Sequence, residues 1–532
     1  MRQVSSYSYA KFQGTLTEKH KRHLLNRTLF GCSYEDFQSF ENLSLEKSIQ
    51  RLITESPSPP PPLNYYESQH ADPSGVKEGD TWVFAPFGDG VVNFWRNQSL
   101  RYWWIQNMWF QERTIHEKMI LFWHNHFATQ IEIYEIARMA YKHHDTLRKF
   151  ALGNFKDFVK AITIDAAMLE YLNGQRNTKE SPDENYAREL QELFTLGKGS
   201  QSGYTEEDVR AAARVLTGHR FSWLNNYNHQ FRAENHDQGD KIFSEFYGNI
   251  VIKGRTGNEG AEELDELIDM IFKSEEVSRF IVRKLYRFFL YYEITDQIET
   301  EFIEPLAKIF RENNYEIKPL LSAFFSSEHF LDPAFFGALI SSPLEFTIKT
   351  LKHLNPPLPT LDESIYLNYS VSGVYMRFAE TTQQYIGDPP SVSGWPAYYQ
   401  SPLYHEIWIN SDTYQKRNQS LLILIYNEVR REGYRVIVDV IGFVSKLNDP
   451  ENPVALINEL CTLLFSVSID DEVKAKIKKD ILLFGQSNDF YWTELWRSHI
   501  DNPMDTAIKD MLEQRLRYLV LYLMSLPEYQ LM

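Results

Sequence analysis

The feature that most constrains this chain is a repeated set of signals that start and stop α-helices. A side-chain oxygen followed three residues later by a carboxylate is typical of a capping box at a helix start. This spacing occurs at Thr114–Glu117, Ser181–Glu184 and Thr205–Asp208. Glycines that can end a helix follow the second and third starts, at Gly197 and Gly218. The chain therefore contains at least three well-marked helices.

Apolar residues between these signals recur with the 3.6-residue period of a helix. In the segment from about Asp183 to Leu196, the apolar stripe is Tyr186, Leu190 and Leu193. The segment 119–127 is apolar nearly all round, which predicts a central, buried helix. We therefore expect a mainly α protein, a large multi-helical body with long loops and at most minor β-structure. Helix should exceed half of the chain and strand should stay under a tenth.

The pattern divides the chain into three parts. Residues 1–17 read as a polar tail, residues 18–420 as a helical core, and residues 421–532 as a C-terminal helical region packed on that core. Within the core, the segment 56–62 (SPSPPPP) cannot be a helix, because proline lacks the N–H donor and clashes with the preceding turn. We predict an exposed polyproline spacer there.

Composition excludes several classes of protein. The net charge is −17, so phosphate backbones should be repelled and no nucleic acid is expected as a partner. The two cysteines, Cys32 and Cys461, form neither a disulfide framework nor a CxxC metal site. No apolar run is long enough for a transmembrane helix, and the N-terminus lacks the apolar stretch of a signal peptide. These features predict a soluble, cytoplasmic protein.

Several short strings are similar, in order and spacing, to those of one bacterial family. They are His23 to Thr28 with Phe30-Gly31; Phe122 to Phe127; Glu184 to Leu190 with Glu192 to Gly197; Tyr204 to Glu206 with Asp208-Val209; Thr217-Gly218; His236-Asp237 with Gly239 and Lys241; Lys284-Leu285; Pro343 to Phe346; Pro389-Pro390; Gly394 to Pro396; and Arg417. Together they resemble the family called domain of unknown function 1800, from about residue 20 to 420 and on to the closing Pro527–Gln530. One departure is Asp183, where the family string usually has Asn.

This resemblance implies no agreed reaction, substrate or catalytic residue. Members of the family look like companions of a second family, domain of unknown function 1501, which resembles the alkaline phosphatase and sulfatase superfamily. Many members also look exported, in contrast to the N-terminus of this chain. The resemblance therefore implies a partner protein of the domain of unknown function 1501 type, but no reaction.

Metal ligation is one function that the residues themselves allow. His124 and His126 have the HxH spacing of many metal sites, although positions i and i+2 of a regular helix point about 200° apart. Glu189 and Glu192 share a helix face, which suits a hard or borderline divalent cation. The alternatives are core histidines and a routine surface pair between Arg188 and Glu192. We take His124, His126 and Glu192 as candidate metal ligands.

A second candidate group lies in a polar loop. Adjacent His236 and Asp237 can supply a general base and the group that orients it, and with Glu189 they are the candidate catalytic residues. The alternative is a turn that closes on Gly239.

Arginine forks and one tryptophan are the candidate substrate-binding residues. Arg188, Arg210 and Arg214 could bind phosphate, sulfate or carboxylate groups, and Trp395 could stack on a sugar or a peptide. Their alternative roles are pairing with nearby glutamates and packing beneath a loop.

Two functions remain open from the sequence. One is a scaffold or accessory protein that acts beside a phosphatase- or sulfatase-like partner of the domain of unknown function 1501 type. The other is a metal- or carboxylate-dependent, hydrolase-like enzyme with a divalent metal ion as cofactor. The chain contains no P-loop, HExxH or GxSxG pattern. Convergence of the candidate residues in one open pocket would favour the enzyme, and dispersal or dry pairing would favour the scaffold.

Overall fold

Helix makes up 57% and strand 5% of the computed structural model, so the predicted mainly α class is confirmed. The structure describes residue 4 and residues 6–198 and 203–532. In these ranges the strands form three separate two-stranded antiparallel hairpins and no larger sheet. The fold is therefore built by helix packing.

The first half of the chain holds twelve α-helices and four short strands within the described ranges. The helices are α1 (Glu18–Thr28), α2 (Tyr34–Phe40), α3 (Leu45–Leu52), α4 (Gly90–Trp109), α5 (His116–His126), α6 (Ile131–Tyr134), α7 (Ala137–Phe150), α8 (Phe155–Thr163), α9 (Ala166–Tyr171), α10 (Glu184–Glu189), α11 (Glu206–Val215) and α12 (Glu263–Ile271). The strands are β1 (His219–Ser222), β2 (Asn228–Phe231), β3 (Lys241–Ile242) and β4 (Val251–Ile252). Helix α10 continues directly as a π-helix over Leu190–Thr195.

The second half is also helical. Its helices are α13 (Glu276–Phe289), α14 (Asp296–Ile298), α15 (Glu304–Glu312), α16 (Ile317–Ser326), α17 (Pro343–Leu354), α18 (Ile365–Thr381), α19 (Ser411–Leu422), α20 (Val440–Ser445), α21 (Pro453–Leu464), α22 (Asp471–Lys476), α23 (Phe490–Asp501) and α24 (Thr506–Met524). A third hairpin pairs β5 (Val429–Arg431) with β6 (Tyr434–Val436). Further π-helical turns span Glu299–Ile303, Ile423–Asn427 and Ile477–Leu482.

The predicted capping boxes are correct at one position and wrong at two. Thr205 and Asp208 form the expected capping box on α11. The helix after Ser181 begins later, because Asp183 is the N-cap and its side chain accepts from the backbone N–H of Asn185 at 2.9 Å. An Asx cap two residues further on satisfies the same free donors, which removes the need for Ser181.

At Thr114, tertiary contacts replace the predicted capping box. Ile115 is the N-cap of α5 and provides no side-chain cap. The Thr114 hydroxyl lies 2.7 Å from that of Ser56, and the Glu117 carboxylate forms a buried ion pair with Arg148. Thr114 and Glu117 thus form no capping box, and both connect α5 to other segments.

Helix α5 lies at the centre of the fold, as its uniformly apolar pattern predicted. Every residue of the helix is buried, and α5 packs against α4 and α7. Trp123 stacks on Phe155 with ring centroids 5.4 Å apart, and its indole N–H donates to the carbonyl of Ala151 at 3.0 Å. The charged and histidine side chains of α5 must therefore find partners inside the protein.

The spacer 56–62 is non-helical, as predicted, but it is not free of the core. Pro57 and Ser58 are exposed, whereas Pro62 is buried. The Pro60 carbonyl accepts from the indole N–H of Trp103 at 2.7 Å. The prediction of full exposure was wrong because the open backbone carbonyls of a polyproline segment are good acceptors for neighbouring helices.

Both ends of the chain pack on the body. The N-terminal segment pairs with 326–329, for example through Phe12 N–H and the Ser326 carbonyl at 2.8 Å. Residues 1–3 and 5 of the predicted tail lie outside the described residues. At the other end Tyr529 is buried against α17, and α19 runs through the predicted boundary at residue 420. No helix in the described ranges is long and apolar enough to cross a membrane.

Candidate functional site

His126 and a lysine that the sequence analysis did not select cap the end of the helix that carries Glu189. The π-helix at Leu190–Thr195 leaves its last carbonyls without helical partners. The Phe194 carbonyl lies 3.1 Å from Nε2 of His126, and the Leu193 carbonyl accepts from Lys284 Nζ at 3.4 Å. Lys284 Nζ is also 3.0 Å from His126 Nδ1. His126 therefore carries its proton on Nε2 and accepts from Lys284 at Nδ1.

Burial sets the charge of this pair. Burial, with a smaller contribution from Arg287, lowers the pKa of Lys284 to about 7. Burial, and then the charge of Lys284, lowers the pKa of His126 well below its usual value. An uncharged imidazole and a readily deprotonated amine are suited to a largely buried helix cap, where a fixed charge would be costly.

His124 lies in a different environment from His126, as the helix geometry implied. Its Nε2 accepts from the backbone N–H of Gly387 at 3.2 Å. Its ring packs edge-on against Trp104 and Trp395, with centroids 5.0 and 5.4 Å away. Burial lowers its pKa to about 3, so the ring is neutral at pH 7. The two histidines thus have separate contacts and share no ligand position.

Glu189 and Glu192 have different surroundings although they are one turn apart. Glu192 forms an ion pair with the exposed Lys198. Glu189 is half-buried, and burial raises its pKa. Its Oε2 is shielded from solvent and has no hydrogen-bond partner in the described part of the chain, which omits the nearby residues 199–202. Glu192 and Asp237 have ion-pair partners, whereas the described contacts assign no partner to Glu189 Oε2.

The His236–Asp237 loop belongs to a separate network behind α11. The Asp237 carboxylate accepts two hydrogen bonds from the Arg214 guanidinium, at 2.8 and 3.0 Å. Its backbone N–H donates to the Thr217 hydroxyl at 2.8 Å, and Gly239 N–H closes the turn on Asp237 Oδ1 at 2.8 Å. His236 Nδ1 lies 2.9 Å from the Thr217 carbonyl. Arg214 thus binds the protein's own carboxylate, and the Asx turn that we gave as the alternative is present.

Two buried charges complete this network, and neither of them is among the predicted site residues. The Glu263 carboxylate lies 3.1 Å from His236 Nε2, and it accepts from Lys241 Nζ at 2.5 Å and from the Arg255 backbone N–H at 2.7 Å. Lys241 and Glu263 are both fully buried. Burial raises the pKa of Glu263, but the nearby His236 and Lys241 and the Arg255 backbone N–H outweigh it and hold that pKa below its usual value. The sequence contains one sign that Glu263 is buried. It lies four and eight residues before Leu267 and Ile271, on the same buried face of α12.

The remaining candidate substrate-binding residues are also engaged within the fold. Arg188 binds both oxygens of Glu206 at 2.7 Å, and Arg210 contacts Glu207 at 3.3 Å on the surface. Trp395 is 2% exposed, and its backbone N–H donates to Asn125 Oδ1 at 2.8 Å. A stacking platform needs an open ring face, which Trp395 does not present.

No metal-binding group of three or more His, Cys, Asp or Glu side chains is found among residues 6–198 and 203–532. His124, His126 and Glu192 have the separate partners described above. In the described structure these three side chains therefore do not come together as the ligands of one divalent ion.

The model of one protein family, described as a protein of unknown function, matches residues 23–531, nearly the whole chain. The chain belongs to the DUF1800 family. This confirms the resemblance and extends it through the C-terminal helices to the closing Pro527–Gln530. No curated protein and no solved structure matches this DUF1800 chain.

Proposed function

We propose that this DUF1800 protein is a non-catalytic helical scaffold or accessory protein that acts beside a phosphatase- or sulfatase-like partner of the DUF1501 type. The observation that carries the proposal is the use of the polar candidate residues inside the fold. His126 caps a helix, Asp237 binds Arg214, and Glu192 pairs with Lys198. Groups with such internal partners are typical of a structural framework rather than of a site that awaits a substrate.

An exposed apolar surface supports the accessory role. Phe84, in the segment before α4, is 73% exposed, and Trp223 and Leu224 at the tip of the β1–β2 hairpin are 57% and 100% exposed. Arg138 joins the two segments, because its guanidinium donates to the Phe84 carbonyl at 3.3 Å and to Asn226 at 3.0 Å. Large apolar side chains clustered on a surface are typical of a protein–protein contact.

This apolar surface predicts the effect of one substitution on partner binding. Leu224→Asp should weaken the affinity for a purified DUF1501-type protein at least tenfold, because a charge would be buried at the contact. Its own stability should change by no more than about 0.5 kcal/mol, since Leu224 is fully exposed. Titration calorimetry measures the affinity. Met504→Asp, at a residue 86% exposed in the C-terminal region, is the control and should bind normally. Absence of binding by the unaltered chain would contradict the proposed partner.

The metal-dependent alternative makes a different prediction. The scaffold proposal expects that neither Glu189 nor Glu192 is a metal ligand. Glu189→Gln and Glu192→Gln should then each change the free energy of unfolding by about 0.5 kcal/mol or less. Within that range, Glu189→Gln should stabilise the protein slightly, because burial disfavours the charged form of the Glu189 carboxylate. Metal content by mass spectrometry and melting temperature are the measurements. Stoichiometric zinc or another divalent ion that is lost in either variant would favour the enzyme.

A further inference from the structure

One face of helix α1 forms the wall of a pocket between the two ends of the chain. The side chains that line the pocket from α1 lie at positions i, i+3, i+4 and i+7 of a single helix face, and they are Lys19, Arg22, His23 and Asn26. The opposite wall comes from the end of α21, from the segment 465–469 and from Lys474 of α22. The pocket therefore lies where the first helix meets the C-terminal helical region.

The pocket has the size and the apolar surface of a small-molecule site. Its volume is about 240 Å³. Sites for drug-sized ligands usually hold ~300–1,000 Å³, so the occupant is smaller than these ligands. Four apolar side chains contribute to the wall, namely Phe336, Phe465, Val467 and Ile469. The pocket therefore suits a small organic molecule that has an apolar part.

The charged groups of the wall are all cations. Lys19, Arg22 and Lys474 line the pocket, whereas none of its described lining residues is Asp or Glu. The Cys461 thiol is the other lining group that can become negative. Burial, and to a lesser extent the charge of Glu528, raises the pKa of this thiol to about 11, so that it is neutral at pH 7. The wall is therefore positively charged.

Two carboxylates pair with these cations from outside the wall. Glu18 accepts from Arg22 Nε at 2.7 Å, and Asp471 pairs with Lys474 Nζ at 3.0 Å. The Glu18 and Asp471 side chains are 49% and 96% exposed, so water screens both carboxylates. These surface pairs leave the side of the cations that faces the pocket free for a ligand.

Three polar side chains of the wall have unused hydrogen-bonding capacity. Lys19 Nζ donates to the Ser468 hydroxyl at 2.8 Å and forms no ion pair within the described ranges. Arg22 Nη1 is shielded from solvent and has no partner in the described structure. His23 Nε2 lies 3.0 Å from the Phe330 carbonyl, which leaves its buried Nδ1 as an acceptor without a described partner. Unpaired buried groups of this kind indicate a place for water or a ligand.

The two lysines have one alternative role that needs no ligand. Helix α21 ends at Leu464 beside the pocket, and cations are favourable near the carbonyl end of a helix. This role does not account for the unpaired Arg22 Nη1 or for the volume of the pocket. Binding measurements separate the two roles.

We propose that this pocket binds a small organic anion, whose carboxylate or phosphate group is held by Lys19, Arg22 and Lys474 and whose apolar part packs against Phe336 and Phe465. Ammonium and guanidinium groups form charge-assisted hydrogen bonds with both kinds of anion. A ligand bound there connects α1 to α21 and α22. The proposal goes beyond the accessory role and does not rest on it.

The test is the binding of phenyl phosphate and of benzoate to the full chain, measured by titration calorimetry at constant ionic strength. We expect saturable binding of at least one of the two, and the probe that binds more tightly distinguishes a phosphate ester from a carboxylate. Lys19→Met and Lys474→Met each remove one cation and should weaken this binding about tenfold. Lys476→Met, at an exposed lysine of α22 outside the pocket wall, is the control and should bind normally.

Three outcomes would overturn the proposal. The first is no binding of either probe at concentrations up to about 10 mM. The second is equal binding by the unaltered chain and by both lysine variants. If these variants also melted at a lower temperature, the lysines would serve the carbonyl end of α21 alone. The third is binding of benzyl alcohol, which has the ring without the charge, as tightly as the better anion, because charge would then not determine the ligand.

Discussion

Replacing Glu263 by glutamine should lower the free energy of unfolding by about 3–5 kcal/mol, the range for breaking a buried ion pair. The carboxylate is fully buried and accepts from Lys241 Nζ and from the Arg255 backbone N–H, at 2.5 and 2.7 Å. Glutamine keeps the shape but removes the charge, so Lys241 would remain buried without a counter-charge. Equilibrium unfolding in urea, with near-ultraviolet circular dichroism as the probe, measures the change.

Two further variants make this result specific. Glu262→Gln, next in sequence, removes an exposed carboxylate that pairs with Arg255 at 3.2 Å and should change the free energy by about 0.5 kcal/mol or less. Adding Lys241→Met to Glu263→Gln should recover part of the loss, because it removes the stranded charge. If Glu263→Gln were as stable as the unaltered chain, the His236 network would not be a buried ionic network.

Local signals predicted a feature well where all the residues that form it lie close together in the sequence. The Thr205–Asp208 capping box and the buried stripe position Leu190 depend on residues a few positions apart, and both are present. Leu193, predicted on the same stripe, is only half-buried, because the wider turn of the π-helix buries Phe194 instead. The capping boxes predicted at Thr114 and Ser181 were wrong for different reasons. At Thr114 the hydroxyl and Glu117 bind distant segments, and at Ser181 a better cap, Asp183, lies two residues further on.

The candidate site could be predicted less well, because its partners are far apart in sequence. Asp237 was singled out, but its partner Arg214 lies 23 residues earlier and Glu263 lies 26 residues later. His126 was singled out as a ligand, yet its contacts are with Phe194 and with Lys284, 158 residues away. A sequence pattern identifies residues capable of chemistry, whereas packing decides which group each one meets.

The family strings themselves are joined to each other in the folded chain. Asn125 of the second string accepts from Trp395 N–H, and Gly394 allows this approach because a Cβ there would lie 2.4 Å from the Asn125 carbonyl oxygen. Arg417 binds Gln530 of the closing segment at 3.0 Å. Polar residues that link segments 113 to 270 residues apart position the elements of a large helical body. This use of the strings supports the scaffold proposal.

The last prediction concerns the cap formed by Lys284, whose effect should depend on pH. Because the pKa of Lys284 is about 7 in the folded protein against about 10.5 when exposed, the unfolded chain binds more protons between these values. The contribution of Lys284 to the free energy of unfolding therefore rises as the pH increases from 7 towards 10. Below pH 7 the buried amine is charged, and the cost of burying it is greatest. Lys284→Met removes this titration.

We expect the stability of the unaltered chain, relative to Lys284→Met, to increase by about 2 kcal/mol between pH 6.5 and 9. The full linkage limit is about 1.4 kcal/mol per pH unit, and partial exposure of the side chain reduces it. At pH 6.5 the variant should be at least as stable as the unaltered chain, whereas at pH 9 the uncharged amine still caps Leu193 and the unaltered chain should be the more stable. Urea unfolding at both pH values measures this difference. Lys198→Met, at an exposed lysine that follows the capped π-helix, should show no such trend. A pH-independent difference for Lys284→Met would contradict the proposed cap.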